Sequence, residues 1–161
     1  MRTLALDAGT KTIGVAISDP TGSFATPLTV IRRAKPNGDI QRVLDLAKQY
    51  EAQRILVGMP ISMDGRLGEQ ARLVEAFVAQ LRKATPIAID TFDERLTTVE
   101  AERRMREAGL SAQKRRANID AMAATVLLQG YLDSGSAPRR LPEPAESSPR
   151  HQGRRRPTSR R

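Results

Sequence analysis

The sequence predicts an α/β domain built on a mixed five-stranded sheet. Two observations carry this. Apolar runs at Thr3–Asp7 and Thr12–Asp19 flank the turn Gly9-Thr10-Lys11, the pattern of a β-hairpin. Beyond them, short apolar runs alternate with segments of helical period, the pattern of βα units. An antiparallel three-strand meander followed by parallel strands, with helices on both faces, satisfies both.

Each element has its own warrant. Residues 24–32, with Phe24, Leu28, Val30 and Ile31, read as a third strand. From Asn37 to Tyr50 the period becomes helical: Ile40, Val43, Leu44 and Ala47 share a face and Asp39 lies in the first turn. Arg54–Met59 encloses Ile55-Leu56-Val57, a buried parallel strand ended by Gly58 and Pro60. Leu67–Lys83 is amphipathic, and Pro86–Thr91 is a further short strand. Thr97 and Glu100 have capping-box spacing, so a helix is expected there, with Gly109 suited to its C-terminal cap. Asn118 can cap a last helix over Ile119–Asp133.

Composition narrows the chemistry. A chain of 161 residues accommodates one domain and is too short for two lobes closing over a nucleotide. There is no cysteine, which excludes disulfides, thiolate zinc sites and cysteine nucleophiles. His151 is the single histidine, leaving little room for a Ser-His-Asp triad. No apolar run approaches the roughly 18 residues of a membrane span, and no signal peptide opens the chain, so a cytoplasmic protein is expected.

The net charge is +9, and most of it is terminal. Residues 136–161 hold eight arginines, two glutamates and five prolines, a net +6, with Leu141 their one large aliphatic residue. Such a segment cannot bury enough apolar surface to offset its ordering entropy. Two units are therefore expected: a folded domain over residues 1–135 and a disordered Arg/Pro-rich basic tail over 136–161. A basic tail of this kind suits a polyanionic partner.

Three acids do not fit their surroundings. Asp7 ends the apolar strand Leu4-Ala5-Leu6, Glu94 follows the strand that closes at Thr91, and Asp120 sits among Ile119, Ala121, Ala123 and Ala124. Each has a plain structural alternative: Asp7 as a turn residue, Glu94 and Asp120 as acids at helix N-termini. In an α/β sheet, however, the carboxyl ends of neighbouring strands and a facing helix N-terminus converge on one crevice. Three carboxylates there, without His or Cys, form a hard oxygen site suited to Mg²⁺ or Mn²⁺. Two such ions can activate water and stabilise the leaving oxygen of a phosphodiester. Adjacent strand residues point opposite ways, so Asp93 and Glu94 compete for the second position.

Basic residues lie beside each acid. Lys11 follows Asp7 in the first turn, Arg95 adjoins Glu94, and Lys114-Arg115-Arg116 precedes the Asp120 helix. They are candidate phosphate contacts, with solvated surface charge as the alternative reading. Of Phe24, Tyr50, Phe77, Phe92 and Tyr131, most fall on apolar faces and are expected in the core, which leaves little for base stacking.

Four segments together resemble the signature blocks of the YqgF/RuvX family, in order. They run from Leu4 to Asp19, from Val57 to Gly65, from Asp93 to Glu102 and from Ile119 to Asp133. The resemblance covers Thr3–Asp133. This is a bacterial family described both as Holliday junction resolvases and as pre-16S rRNA nucleases. It implies an RNase H-like fold, with Asp7, Glu94 and Asp120 as metal-binding catalytic carboxylates, and a role in maturing the 5′ end of 16S rRNA. One departure is local: the family usually carries Lys-Arg where this chain has Lys11-Thr12.

Four functions compete. The first is a metal-dependent endonuclease acting on structured RNA, associated with ribosomes or their precursors. The second is a resolvase of four-way DNA, which calls for a homodimer where the first permits a monomer. The third, suggested by Asp7-Ala-Gly-Thr10 and Ile13-Gly-Val-Ala16, is a fragment of an actin-like or sugar-kinase fold, against which the length argues. The last is a nonenzymatic nucleic-acid-binding factor whose carboxylates are structural caps.

Overall fold

A computed structural model describes residues 1–60, 68–94 and 119–135. The strands are β1 (Thr3–Ala8), β2 (Thr12–Ser18), β3 (Ala25–Arg32), β4 (Arg54–Met59) and β5 (Ala88–Asp93). The helices are α1 (Pro36–Gln49), α2 (Glu69–Ala84) and α3 (Ile119–Asp133). The expected helix between Thr97 and Gly109, the Asn118 cap and the tail over 136–161 lie outside the described residues.

The five strands form one sheet in the order β3-β2-β1-β4-β5. β1 pairs antiparallel with β2, and β2 with β3. β4 pairs parallel with β1 and with β5. The meander plus parallel strands is thus the arrangement expected from the sequence. Among the described helices, none is long and apolar enough to cross a membrane.

Strand periodicity explains how the sheet is covered. Alternate residues face opposite sides, so β1 sends Leu4 and Leu6 one way and Ala5 the other. Leu4, Leu6, Ile13, Val15, Ile55 and Val57 join a cluster with Val43 of α1 and Val74, Phe77 and Leu81 of α2. Ala5, Ala16, Leu56 and Phe92 join a second cluster with Ala124, Leu127, Leu128 and Tyr131 of α3. Large side chains fill the first face, whereas alanines on β1 and β2 let α3 sit close on the second.

Two expectations are corrected. β5 runs to Asp93 rather than stopping at Thr91, because its parallel ladder with β4 continues through Gly58↔Phe92 and Met59↔Asp93. Phe24 is 69% exposed and not part of the core. It precedes β3 in a turn held by Asp19, whose carboxylate accepts the N–H groups of Ser23 and Phe24. The Phe24 N–H foremost, then the Thr21 hydroxyl, with the Ser23 N–H, hold the Asp19 pKa down at about 2.

Buried acids are not confined to the predicted three. Asp39 is 2% exposed, and it pairs with Arg33 Nε at 3.2 Å and accepts the Ala34 N–H. Asp90 pairs with Arg54, whose guanidinium also donates to the Tyr131 hydroxyl at 2.7 Å. These ties fasten α1 to the chain before it, and β4 and β5 to α3.

Candidate active site

The site lies where β1 and β5 end and β2 and α3 begin. Strand periodicity decides which side chains share it. Asp7 is on the Ala5 side of β1, the side that α3 covers. Its cross-strand partner is Gly14, and paired residues face the same way. Thr12, two residues from Gly14, shares that face, as does Gly58, two residues from Leu56.

Glycine makes the approach of α3 possible. A Cβ placed on Gly14 would lie 1.9 Å from the backbone carbonyl oxygen of Asp120. Only a residue without a side chain can stand there, so the first turn of α3 rests directly on β2. That contact sets Asp120 over Gly14, and Asp7 is the residue opposite Gly14. The helix terminus and the strand end are joined through a single cross-strand pair.

Gly58 does the same for the other carboxylate. A Cβ there would lie 2.8 Å from Glu94 Oε1 and 2.9 Å from a Leu127 methyl. Glu94, directly after β5, therefore lies over the end of β4 on the α3 side. Phe92 points to that side as well, packing edge-to-face on Tyr131 with centroids 5.7 Å apart. Asp93, between them, points to the opposite face of β5. Of the two adjacent acids, Glu94 is the one that reaches Asp7.

Glu94 and Asp7 are hydrogen bonded through their carboxyl groups. Two carboxyls can share such a bond only when one is protonated. Burial, then the charge of Asp7, pushes the Glu94 pKa up to about 7. Burial also raises the pKa of Asp7, with a further push from the charge of Asp120. The Thr12 hydroxyl donates to Asp120 Oδ2 at 2.6 Å. Asp120 thus lies within electrostatic reach of Asp7 and is held separately by Thr12. Among the described residues, no three Asp, Glu, His or Cys side chains are gathered tightly enough to enclose an ion. The donors nevertheless suit a hard divalent cation. They are carboxylate oxygens, and a cation would relieve the burial and repulsion that raise the two pKa values.

The turn between β1 and β2 is braced from below. Gly9 N–H bonds the Thr12 carbonyl, Arg33 N–H bonds the Lys11 carbonyl, and the Arg33 guanidinium donates to the Gly9 carbonyl at 2.9 Å. Arg33 itself lies over the Phe77 ring, 5.4 Å from its centroid. Lys11 is exposed at this turn, beside the strand end that carries Asp7. Arg95, Lys114, Arg115 and Arg116 lie outside the described residues.

Thr12, Gly14 and Gly58 are not among the site residues expected from the sequence, where Thr12 stands only as a departure from the family pattern and Gly58 only as a strand end. The glycines carried a usable signal, because a glycine inside a strand pattern marks close backbone approach. The bond of Thr12 to Asp120 carried none, since the two lie 108 residues apart.

Comparison with known proteins bears on the family and the fold. The model of a family described as "RuvX: Holliday junction resolvase" matches residues 1–134. A protein of Desulforamulus reducens named "Putative pre-16S rRNA nuclease" is 48% identical over 136 residues, 84% of this chain and 99% of its own length. One of the same name from Moorella thermoacetica is 49% identical over 133 residues, 83% of this chain and 95% of its own. Among solved structures, Thermus thermophilus RuvC in complex with a Holliday junction substrate superimposes with a TM-score of 0.61 at 15% identity. That match covers 86% of this chain and 98% of RuvC. The fowlpox virus resolvase bound to junction DNA gives 0.51 at 12% identity, covering 83% and 98%. At such identities the likeness concerns the fold, and it is the RNase H-like fold of the RuvC type.

Proposed function

This chain belongs to the RuvX family, and from that membership we propose that it is a divalent-metal-dependent endonuclease that trims the 5′ end of precursor 16S rRNA. One observation supports the chemistry above all: the hydrogen-bonded pair Asp7–Glu94, with Asp120 delivered to the same crevice by a helix resting on Gly14.

Asp7, Glu94 and Asp120 would hold Mg²⁺ or Mn²⁺. The ion, when bound, lowers the pKa of a water and stabilises the leaving oxygen of a phosphodiester. Both acids would serve as ligands in their ionised form, so binding of a cation would oppose the raised pKa of Glu94. Lys11 and Arg95 would position the phosphate chain, and Lys114, Arg115 and Arg116 would contact it further along. Water attacks the phosphorus and gives up a proton, the bond from phosphorus to one bridging oxygen breaks, and that oxygen takes up a proton to leave as a hydroxyl. Neither a histidine nor a covalent nucleophile is needed.

Structured RNA as substrate is supported by the names of relatives nearly half identical over the whole domain. Such a substrate implies work in the cytoplasm on nascent ribosomal particles. The family description favours a second reading, cleavage of four-way DNA junctions by a homodimer.

The test is cleavage of both substrates, precursor 16S rRNA and a four-way DNA junction, in Mg²⁺ with the wild-type chain and its Asp7→Asn variant. Cutting of the RNA by the wild type alone is the expected result. Equal cutting by Asp7→Asn would remove the carboxylate site, and cutting confined to the junction would establish the second reading.

A further inference from the structure

We propose that Thr12 is the positioning residue for Asp120: its hydroxyl selects the carboxylate orientation that faces the Asp7–Glu94 pair. The proposal rests on the metal-dependent reading above and assigns a task to a residue which that reading leaves unused.

The backbone of Asp120 is placed by packing, since its carbonyl lies against Gly14. Packing of the backbone does not choose a side-chain rotamer, and a carboxylate on the first turn of a helix can point to solvent or to the sheet. The Thr12 hydroxyl makes that choice through a 2.6 Å bond to Oδ2. The length is that of a charge-assisted O–H···O⁻ bond, about twice as strong as a neutral one. The donor is itself rigid. Thr12 opens β2 next to the bonded turn Gly9–Thr12, and a β-branched side chain in a strand has few χ1 choices. Thr12 also stands on the face shared by Asp7, Gly14 and Gly58. A carboxylate tied to it is therefore held above that face, where Asp120 acts electrostatically on Asp7.

A purely structural role is the competing account, in which the bond merely tacks the start of α3 to the sheet. The two differ in what survives a substitution. Loss of a bond that orients a ligand costs ten- to a hundredfold in metal affinity, whereas loss of a tack lowers stability and leaves affinity alone.

The experiment measures Mn²⁺ binding to the full chain by the electron paramagnetic resonance signal of free Mn²⁺, and thermal unfolding in EDTA. The variants are Thr12→Val and Thr12→Ser, with Thr12→Ala as a second hydroxyl-free variant should the valine fail to fold. The expected result is Mn²⁺ affinity about tenfold weaker in Thr12→Val, near wild type in Thr12→Ser, and similar unfolding temperatures in EDTA. Wild-type affinity in the hydroxyl-free variants overturns the positioning role and leaves the metal reading standing. So does a serine variant as weak as the valine, because the hydroxyl is then not the active group. A wild-type chain that binds no Mn²⁺ overturns the metal reading and the positioning role together.

Discussion

Gly14 and Asp120 touch through their backbones: the space a Gly14 side chain would occupy is filled by the Asp120 carbonyl. Gly14 also pairs across the ladder with Asp7. A residue with no side chain thereby sets the spacing between two carboxylates that the sequence separates by more than a hundred positions.

Substitution of Gly14 by Ala should accordingly push the N-terminus of α3 off β2. Backbone is the obstacle, and backbone cannot rotate aside. We expect a loss of roughly 1–3 kcal/mol in urea unfolding, together with loss of cleavage. An active, fully stable Gly14→Ala protein would contradict this packing.

Gly58 calls for a different outcome. The atoms in the way of a Cβ there are the ends of two flexible side chains, Glu94 and Leu127. They can yield, so Gly58→Ala should unfold within about 1.5 kcal/mol of wild type. Displacing Glu94 breaks its bond to Asp7, and cleavage should fall far more than stability. Steady-state cleavage beside urea titration separates the two effects.

The pH dependence of stability follows from Glu94. Its pKa rises from an ordinary 4.5 to about 7 on folding, so between those values the folded chain keeps a proton that the unfolded chain has lost. The stability this contributes is whole below pH 4.5 and is lost as pH rises through about 7. In EDTA, the unfolding temperature of the wild type should therefore fall relative to Glu94→Gln across that window. Added Mn²⁺ should restore it at pH 8, because a cation replaces the proton. Parallel wild-type and Glu94→Gln curves in EDTA would show that the shared proton is absent.

Arg33 braces the first turn, pairs with the buried Asp39 and lies on Phe77. Arg33→Met keeps the apolar contact and strands the Asp39 charge, whose side chain is 4% exposed. We expect a cost of about 2 kcal/mol, with part recovered in the Arg33→Met, Asp39→Asn double variant. A double-mutant cycle in urea reads this coupling; additive costs would mean that the pair contributes nothing.

Much of the fold was legible in the sequence because strand and helix periods are local. The alternation in Leu4-Ala5-Leu6 and in Ile13 to Ile17 marks two-sided burial, and the helical spacing of Ile40, Val43 and Ala47 marks one face of α1. β5 runs past its expected end because Phe92 and Asp93, beyond the apolar run, are kept in the strand by their ladder partners Gly58 and Met59 in β4. Phe24 falls before β3, outside the strand expected over 24–32, because the turn built on Asp19 holds it there, exposed.

The sequence by itself determined the order of elements, the two-faced burial of the sheet and the identity of three acids out of place. These depend on spacing over a few residues. Tertiary structure decided that Glu94 rather than Asp93 meets Asp7, that burial raises the pKa of both, and that Thr12 bonds Asp120. Each of those depends on which atoms meet after strands distant in the chain have paired and α3 has settled on Gly14. The period of a strand says which way a side chain points, but only the packed sheet says what it points at.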